Sequence, residues 1–169
     1  DLILKSHPKT KNIYIINDKT TTGESINKKF NEVIKKRKDK LNFINLQGES
    51  MTDILNTIKH PLKDSAILFL IFFQDGSGNK FTYSEGIKLI SQNSTIPIYG
   101  VWEFSLGYGI IGGMLTSGYY QGQTAAQTII QILNGKKPSD IPVIDKDTNS
   151  YMFDYNEMKK FNIKPADIP

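Results

Sequence analysis

Three observations predict an α/β fold, a three-layer αβα sandwich with a parallel sheet between two layers of helices. Apolar strand-like runs alternate with helical patterns along the chain, the arrangement that builds parallel sheets. One run, "AILFLIFF" at 66–73, is continuously apolar, as a central strand covered on both faces requires. No internal repeat or low-complexity linker interrupts the series. At 169 residues, with 38% hydrophobic and 22% charged residues, the chain has the size and composition of one domain with a real core.

The elements follow in order. Ile13, Tyr14, Ile15 and Ile16 mark a buried strand over 12–17, and Ile26, Phe30, Val33 and Ile34 recur at helical spacing over about 23–36. Residues 41–46 alternate as a second strand. Ser50 and Asp53 are spaced as a capping box for a helix carrying Ile54, Leu55 and Ile58. After the central strand, Thr82 and Glu85 form a second such box, and Ile87, Leu89 and Ile90 supply that helix's core side. "IPIYGV" (96–101) is the fourth strand and "IIGGMLTS" (110–117) the fifth. A long helix over about 119–134 is stopped by Asn134-Gly135. Repeating units of this kind imply right-handed crossovers and a flavodoxin-like strand order.

Composition excludes several chemistries. The chain has no cysteine, so disulfides, thiolate catalysis and cysteine-ligated metals are ruled out. His7 and His60 each precede a proline and read as surface loop ends. The net charge of +4 rests on lysines spread along the chain plus Arg37, and the dense cluster "KKRKDK" at 35–40 closes a helix, where cations complement the dipole. No aromatic residues interleave with that cluster, so no nucleic-acid partner is expected. No apolar run is long enough to span a bilayer, and the opening "DLILKSHPKTKN" lacks a signal-peptide pattern. The expectation is a cytosolic protein or a piece of a longer precursor. Asp154 and Glu157 read as a capping box rather than an acid pair. No nucleophile–base pair, metal cluster or cofactor motif is evident, and no catalysis is expected.

In such a sheet, ligands bind beyond the carboxyl ends of the strands. That directs attention to "NDKTTTG" after the first strand, "QDGSGNKFT" after the third and "WEFSLGYG" after the fourth. "TTTGES" at a helix start offers hydroxyls to an anion and resembles the phosphate loop of flavodoxins, with Trp102 and Tyr108 able to stack on FMN. A simpler reading makes Thr22 the N-cap of the helix. A phospho-receiver reading fails, because Trp102 and "LTSGYY" stand where its hydroxyl and lysine are needed.

The segment "GYGIIGGMLTSGYYQGQTAAQTIIQILNGKKPSDIPVI", with Gly112-Gly113, "QGQTAA" and the tail "FDYNEMKKFNI", resembles the closing part of the ABC-transporter substrate-binding family, which has the type I periplasmic-binding-protein fold. The opening "HPKTKNIYIINDKTTTG" is similar to the start of that family's second lobe. The resemblance covers nearly the whole chain. It implies a single ligand-binding lobe over 1–169, with 119–169 as crossover helix and tail toward a first lobe lying before Asp1. The versions of this module that look most similar are extracytoplasmic sensing domains of membrane-anchored histidine kinases and diguanylate cyclases. A transporter-linked binding lipoprotein is the alternative, and an FMN-binding flavodoxin-like redox protein the second.

A cleft for a small solute needs an aromatic or apolar wall and a few fixed polar groups. The candidate ligand-binding residues are therefore Asp18, Thr20, Thr21 and Thr22, then Gln74 and Asp75, then Trp102, Glu103, Phe104 and Tyr108. The expected partner is a small, amino-acid-like molecule, with no cofactor. The face of Gly122, Ala126, Ile129, Ile130 and Leu133 on the long helix is built for contact with another layer. Without the first lobe, that helix is expected either to associate with a second copy or to fold back on its own sheet.

Overall fold

A computed structural model describes residues 1–37, 41–144 and 148–169. The strands are β1 (Asn12–Ile16), β2 (Asn42–Asn45), β3 (Ser65–Phe69), β4 (Ile98–Gly100), β5 (Gly112–Thr116) and β6 (Asn149–Phe153). The helices are α1 (Leu2–Ser6), α2 (Thr21–Lys35), α3 (Met51–Lys59), α4 (Tyr83–Asn93), α5 (Gly118–Leu133) and α6 (Tyr155–Lys160). The sheet order is β2-β1-β3-β4-β5-β6. Pairings from β2 through β5 are parallel, and β6 joins β5 antiparallel.

Alternation along the strands divides the core into two layers. Tyr14, Ile16, Ile67, Phe69, Ile98 and Leu115 pack on Met51, Ile54 and Ile58 of α3 and Ile87 and Ile90 of α4. Ile13, Ile15, Ala66, Tyr99 and Ile111 face the other way, toward Ile3 of α1, Met158 of α6 and the half-buried Ile26 and Phe30 of α2. The pair Gly112-Gly113 lets β5 sit close to both neighbours. Gly112 has φ +141°, and a Cβ there would meet the Met152 carbonyl at 2.1 Å; a Cβ on Gly113 would meet the Gly100 carbonyl at 2.2 Å.

Several details depart from the sequence reading. The third strand ends at Phe69, although its apolar run continues to Phe73; Leu70, Ile71 and Phe72 are buried as loop beneath the carboxyl edge. The sheet gains an antiparallel edge strand, β6, and a short α1 precedes β1. Val33 and Leu89 are exposed rather than core, because each lies at the margin of its helix's buried face. His60 is exposed, but His7 is not a free surface residue: its ring lies edge-on to Tyr99 at 5.9 Å, and its Nε2 is buried with no hydrogen-bond partner among the described residues. Of the basic cluster at 35–40, Lys35 ends α2 and Arg37 pairs with Asp1 at 3.1 Å; residues 38–40 lie outside the described residues.

The capping signals resolve individually. Thr82 and Glu85 form the full reciprocal box. Ser50 caps α3 by accepting from the Asp53 N–H at 3.1 Å. Asp154 caps α6 through the N–H groups of Asn156 and Glu157, while the Glu157 carboxylate lies 3.5 Å from Lys160. Asn134 ends α5, and Gly135 follows in the left-handed region at φ +94°.

The long helix does not fold back on the sheet. α5 buries none of its residues, with Ile129 55%, Ile130 56% and Leu133 80% exposed. The face of the sheet where it might have packed is already held by α2, α1 and α6. No helix among the described residues is long and apolar enough to cross a membrane.

Candidate solute site at the carboxyl edge of the sheet

The turn after β1 is organised by Asp18. Its side chain is fully buried, and both oxygens are occupied: Oδ1 accepts from the Thr20 N–H and hydroxyl, Oδ2 from the Phe73 N–H at 2.7 Å. The same carboxylate thus ties the end of β1 to the chain leaving β3. Thr20, not Thr22, is the N-cap of α2, its Oγ1 accepting from the Gly23 N–H at 3.2 Å. A Cβ on Gly23 would stand 2.3 Å from the Asp18 carbonyl and carboxylate, so glycine is what allows this approach. Thr21 and Thr22 fall in the first turn of α2 with exposed side chains. Gln47, from the loop after β2, latches the turn by donating to the Asp18 carbonyl at 2.8 Å.

Asp75 is likewise turned inward. Its carboxylate accepts from the N–H groups of Met51, Ser77 and Asn79 and from the Asn79 side chain. Burial opposes its charge, but those hydrogen bonds outweigh the penalty and hold the carboxyl below its ordinary range. Gln74 is half-buried and donates to the Gly78 carbonyl at 3.3 Å. Among the described residues no group of three metal-ligating side chains is assembled.

The segment after β4 presents rings instead. Trp102 and Phe104 are stacked, with centroids 5.6 Å apart and planes 15° apart. Tyr83 of α4 lies 5.5 Å from Phe104 and 6.5 Å from Tyr108, and the Lys88 ammonium sits 4.7 Å over the Tyr108 ring. Glu103, partly exposed, is the acid in this segment. Thr116 pairs with Trp102 in an isolated parallel bridge, extending the wall to β5. Trp102, Glu103, Phe104, Thr116, Gly118 and Gln121 line an open cavity of about 430 Å³, a size that holds small organic ligands. The first turn of α5 opens onto it, and the leading N–H groups of a helix have no partner within the helix.

The candidate residues therefore separate into two groups. Trp102, Glu103 and Phe104 share one cavity, with Tyr108 joined to them through Tyr83. Thr20, Thr21, Thr22, Gln74 and Asp75 belong to the β1 and β3 ends. β3 lies directly beside β4, with β1 on its other side, so the two groups stem from neighbouring strand ends along one rim. Thr116, Gly118, Gln121 and Tyr83 were not among the sequence candidates. Gln121 opens the quoted "QGQTAA" block and Gly118 lies three residues before it, but Tyr83 had no signal beyond its place beside a cap. A second, apolar cavity of about 230 Å³ lies on the sheet face between α1 and α2, lined by Leu2, Phe30, Val33, Phe43 and Met114. Asp1 and Arg37 also line it, as do Gly100 and Val101 at the end of β4.

The profile of the ABC transporter substrate binding protein family matches residues 1–167. The chain belongs to that family. Among solved structures, it is similar to ligand-free, open CD0873, a substrate binding protein with adhesive properties from Clostridium difficile. The TM-score is 0.73 at 16% identity, covering 96% of this chain and 54% of that one. It is similar to an ABC domain from Streptococcus pneumoniae in complex with L-Trp, with TM-score 0.66, 20% identity, and 99% and 56% coverage. A conserved domain protein from Vibrio cholerae O1 biovar El Tor gives TM-score 0.66, 19% identity, and 99% and 54% coverage. Among curated proteins, none matches the chain. The chain has the flavodoxin-like lobe of those proteins and spans about half their length.

Proposed function

We propose that this chain is one wall of a solute-binding cleft, and that the solute lies against the stacked Trp102 and Phe104 rings. The observation that carries the reading is the cavity itself, an aromatic platform at the carboxyl end of a parallel strand in a substrate-binding family. The solute proposed is amino-acid-like. A flat side chain would rest on the rings, an ammonium would meet Glu103, and a carboxylate would meet the first turn of α5, where the dipole favours negative charge. The similar pneumococcal domain was crystallised with L-Trp, which makes L-tryptophan the first ligand to test. Thr21, Thr22 and Gln74 would close on a ligand from the β1 side, while Asp18, Thr20 and Asp75 hold the loops. Membership of a substrate-binding family supports binding without catalysis by this domain.

The second wall is proposed to be a further lobe, on which α5 and the tail through 169 would pack; the similar structures are nearly twice as long. The proposed setting is extracytoplasmic, as the sensing domain of a membrane-anchored histidine kinase or diguanylate cyclase, with a transporter-linked lipoprotein as the second reading. The reading frame on either side discriminates them: a transmembrane helix with a kinase or cyclase domain, or a lipoprotein signal alone. The flavodoxin reading loses its support once Thr20 is engaged as a cap and the family is known. Calorimetry of the two-lobed protein tests the site. Trp102→Ala is expected to weaken L-tryptophan binding about 30-fold, the equivalent of ~2 kcal/mol for an aromatic anchor. Unchanged affinity would remove the site from this edge.

A further inference from the structure

We propose that Tyr83 is a positioning residue of this site: it props Phe104 and so fixes the ring platform on which the solute rests. The inference builds on the solute reading above. Tyr83 is the first residue of α4, and the reciprocal Thr82–Glu85 box fixes its backbone, with the Thr82 N–H donating to Glu85 at 2.8 Å and the Glu85 N–H to Thr82 at 3.3 Å. Its ring is 49% exposed, so core burial does not explain its placement. What it touches is Phe104 on one side and Tyr108 on the other.

The same helix holds the segment from Trp102 to Tyr108 at two further points. Lys88 lies over the Tyr108 ring at 4.7 Å, and the Ser91 hydroxyl donates to the Tyr108 carbonyl at 3.1 Å. Lys88 and Ser91 pin the far end of the segment through Tyr108. Tyr83 reaches the near end, where Phe104 is 36% exposed and stacks on Trp102. Half-exposed rings gain little from burial and owe their geometry to the rings beside them. Without Tyr83, Phe104 loses one of its two ring partners, and the platform is expected to lose its fixed angle. A binding wall that must order itself on contact with ligand binds more weakly.

Trp102 is the sole tryptophan of the chain, so its emission and near-ultraviolet circular dichroism report the platform in the absence of any ligand. In the 169-residue chain, Tyr83→Ala is expected to shift Trp102 emission to the red and to reduce the near-ultraviolet signal, with the melting temperature retained. Tyr83→Phe, which keeps the ring, is expected to leave both spectra as in the wild type. In the two-lobed protein, Tyr83→Ala should weaken L-tryptophan binding about tenfold, the scale of one aromatic pair, and Tyr83→Phe should restore it. Unchanged Trp102 spectra in Tyr83→Ala would overturn the proposal, as would spectra that change without loss of affinity in a protein that binds L-tryptophan. If the wild type binds no L-tryptophan, the solute reading fails, while the ligand-free spectra still decide whether Tyr83 sets the platform.

Discussion

Asp18 holds two strand ends together by accepting from the backbone N–H groups of Thr20 and Phe73. Asp18→Ala would leave the Phe73 and Thr20 N–H groups without this acceptor in a partly buried site, at a cost of about 2 kcal/mol, read as a shifted urea midpoint. Gly23→Ala is expected to cost about 2 kcal/mol, since its Cβ would press on the same carboxylate. Thr21→Ala and Thr22→Ala, both exposed, should change stability by less than about 0.5 kcal/mol. The contrast separates residues that hold the loop from residues free to face a ligand, and sequence cannot make it. Thr20 and Thr22 are equivalent caps by residue type. What selects Thr20 is the Asp18 carboxylate two residues earlier, which accepts the hydrogen bond from its hydroxyl and so turns its lone pairs to the Gly23 N–H. The sequence singled out Trp102 because a large ring just past the last apolar strand residue has little core left to enter, and the structure places it in the wall of a cavity.

α5 shows how an element's sequence can describe a contact its own chain does not make. Its residues, "GYYQGQTAAQTIIQIL", carry no charge along 16 positions, yet none is buried. The sequence foretold both the helix and its Asn134-Gly135 stop, because periodicity and a left-handed glycine are local signals. It did not foretell β6 or α1. β6 exists through its pairing with β5, from Gly112↔Phe153 to Thr116↔Asn149, and α1 has 5 residues, too few for a helical period. For the 169-residue chain in isolation, the exposed face of α5 is expected to drive self-association. Ile129→Lys with Leu133→Lys should give a monomer by sedimentation and leave the urea midpoint where it was. A large loss of stability in that double variant would mean the helix packs on its own lobe after all.

Across the whole molecule, His7 and Asp75 are two of the groups through which acid acts. Burial lowers the His7 pKa, so the unfolded chain takes up a proton before the folded one does. Stability is therefore full above the ordinary histidine value of 6.5 and falls as pH drops below it. Asp75 adds a second limb: its carboxyl is depressed, so its contribution is full above 3.8 and is lost as pH falls further. Urea titrations from pH 8 to 5 are expected to show the first limb, and His7→Gln to flatten it. The solute site stands apart from both groups, at the β4 and β5 ends of the sheet. The most direct test of it is a nitrogen-edited NMR titration of the 169-residue chain with the L-amino acids, in which Trp102 supplies the single indole N–H resonance. An aromatic amino acid is expected to move that resonance together with the backbone signals of Phe104, Thr116, Gly118 and Gln121. Shifts confined to the groove between α1 and α2, or a spectrum that none of the amino acids changes, would contradict that expectation.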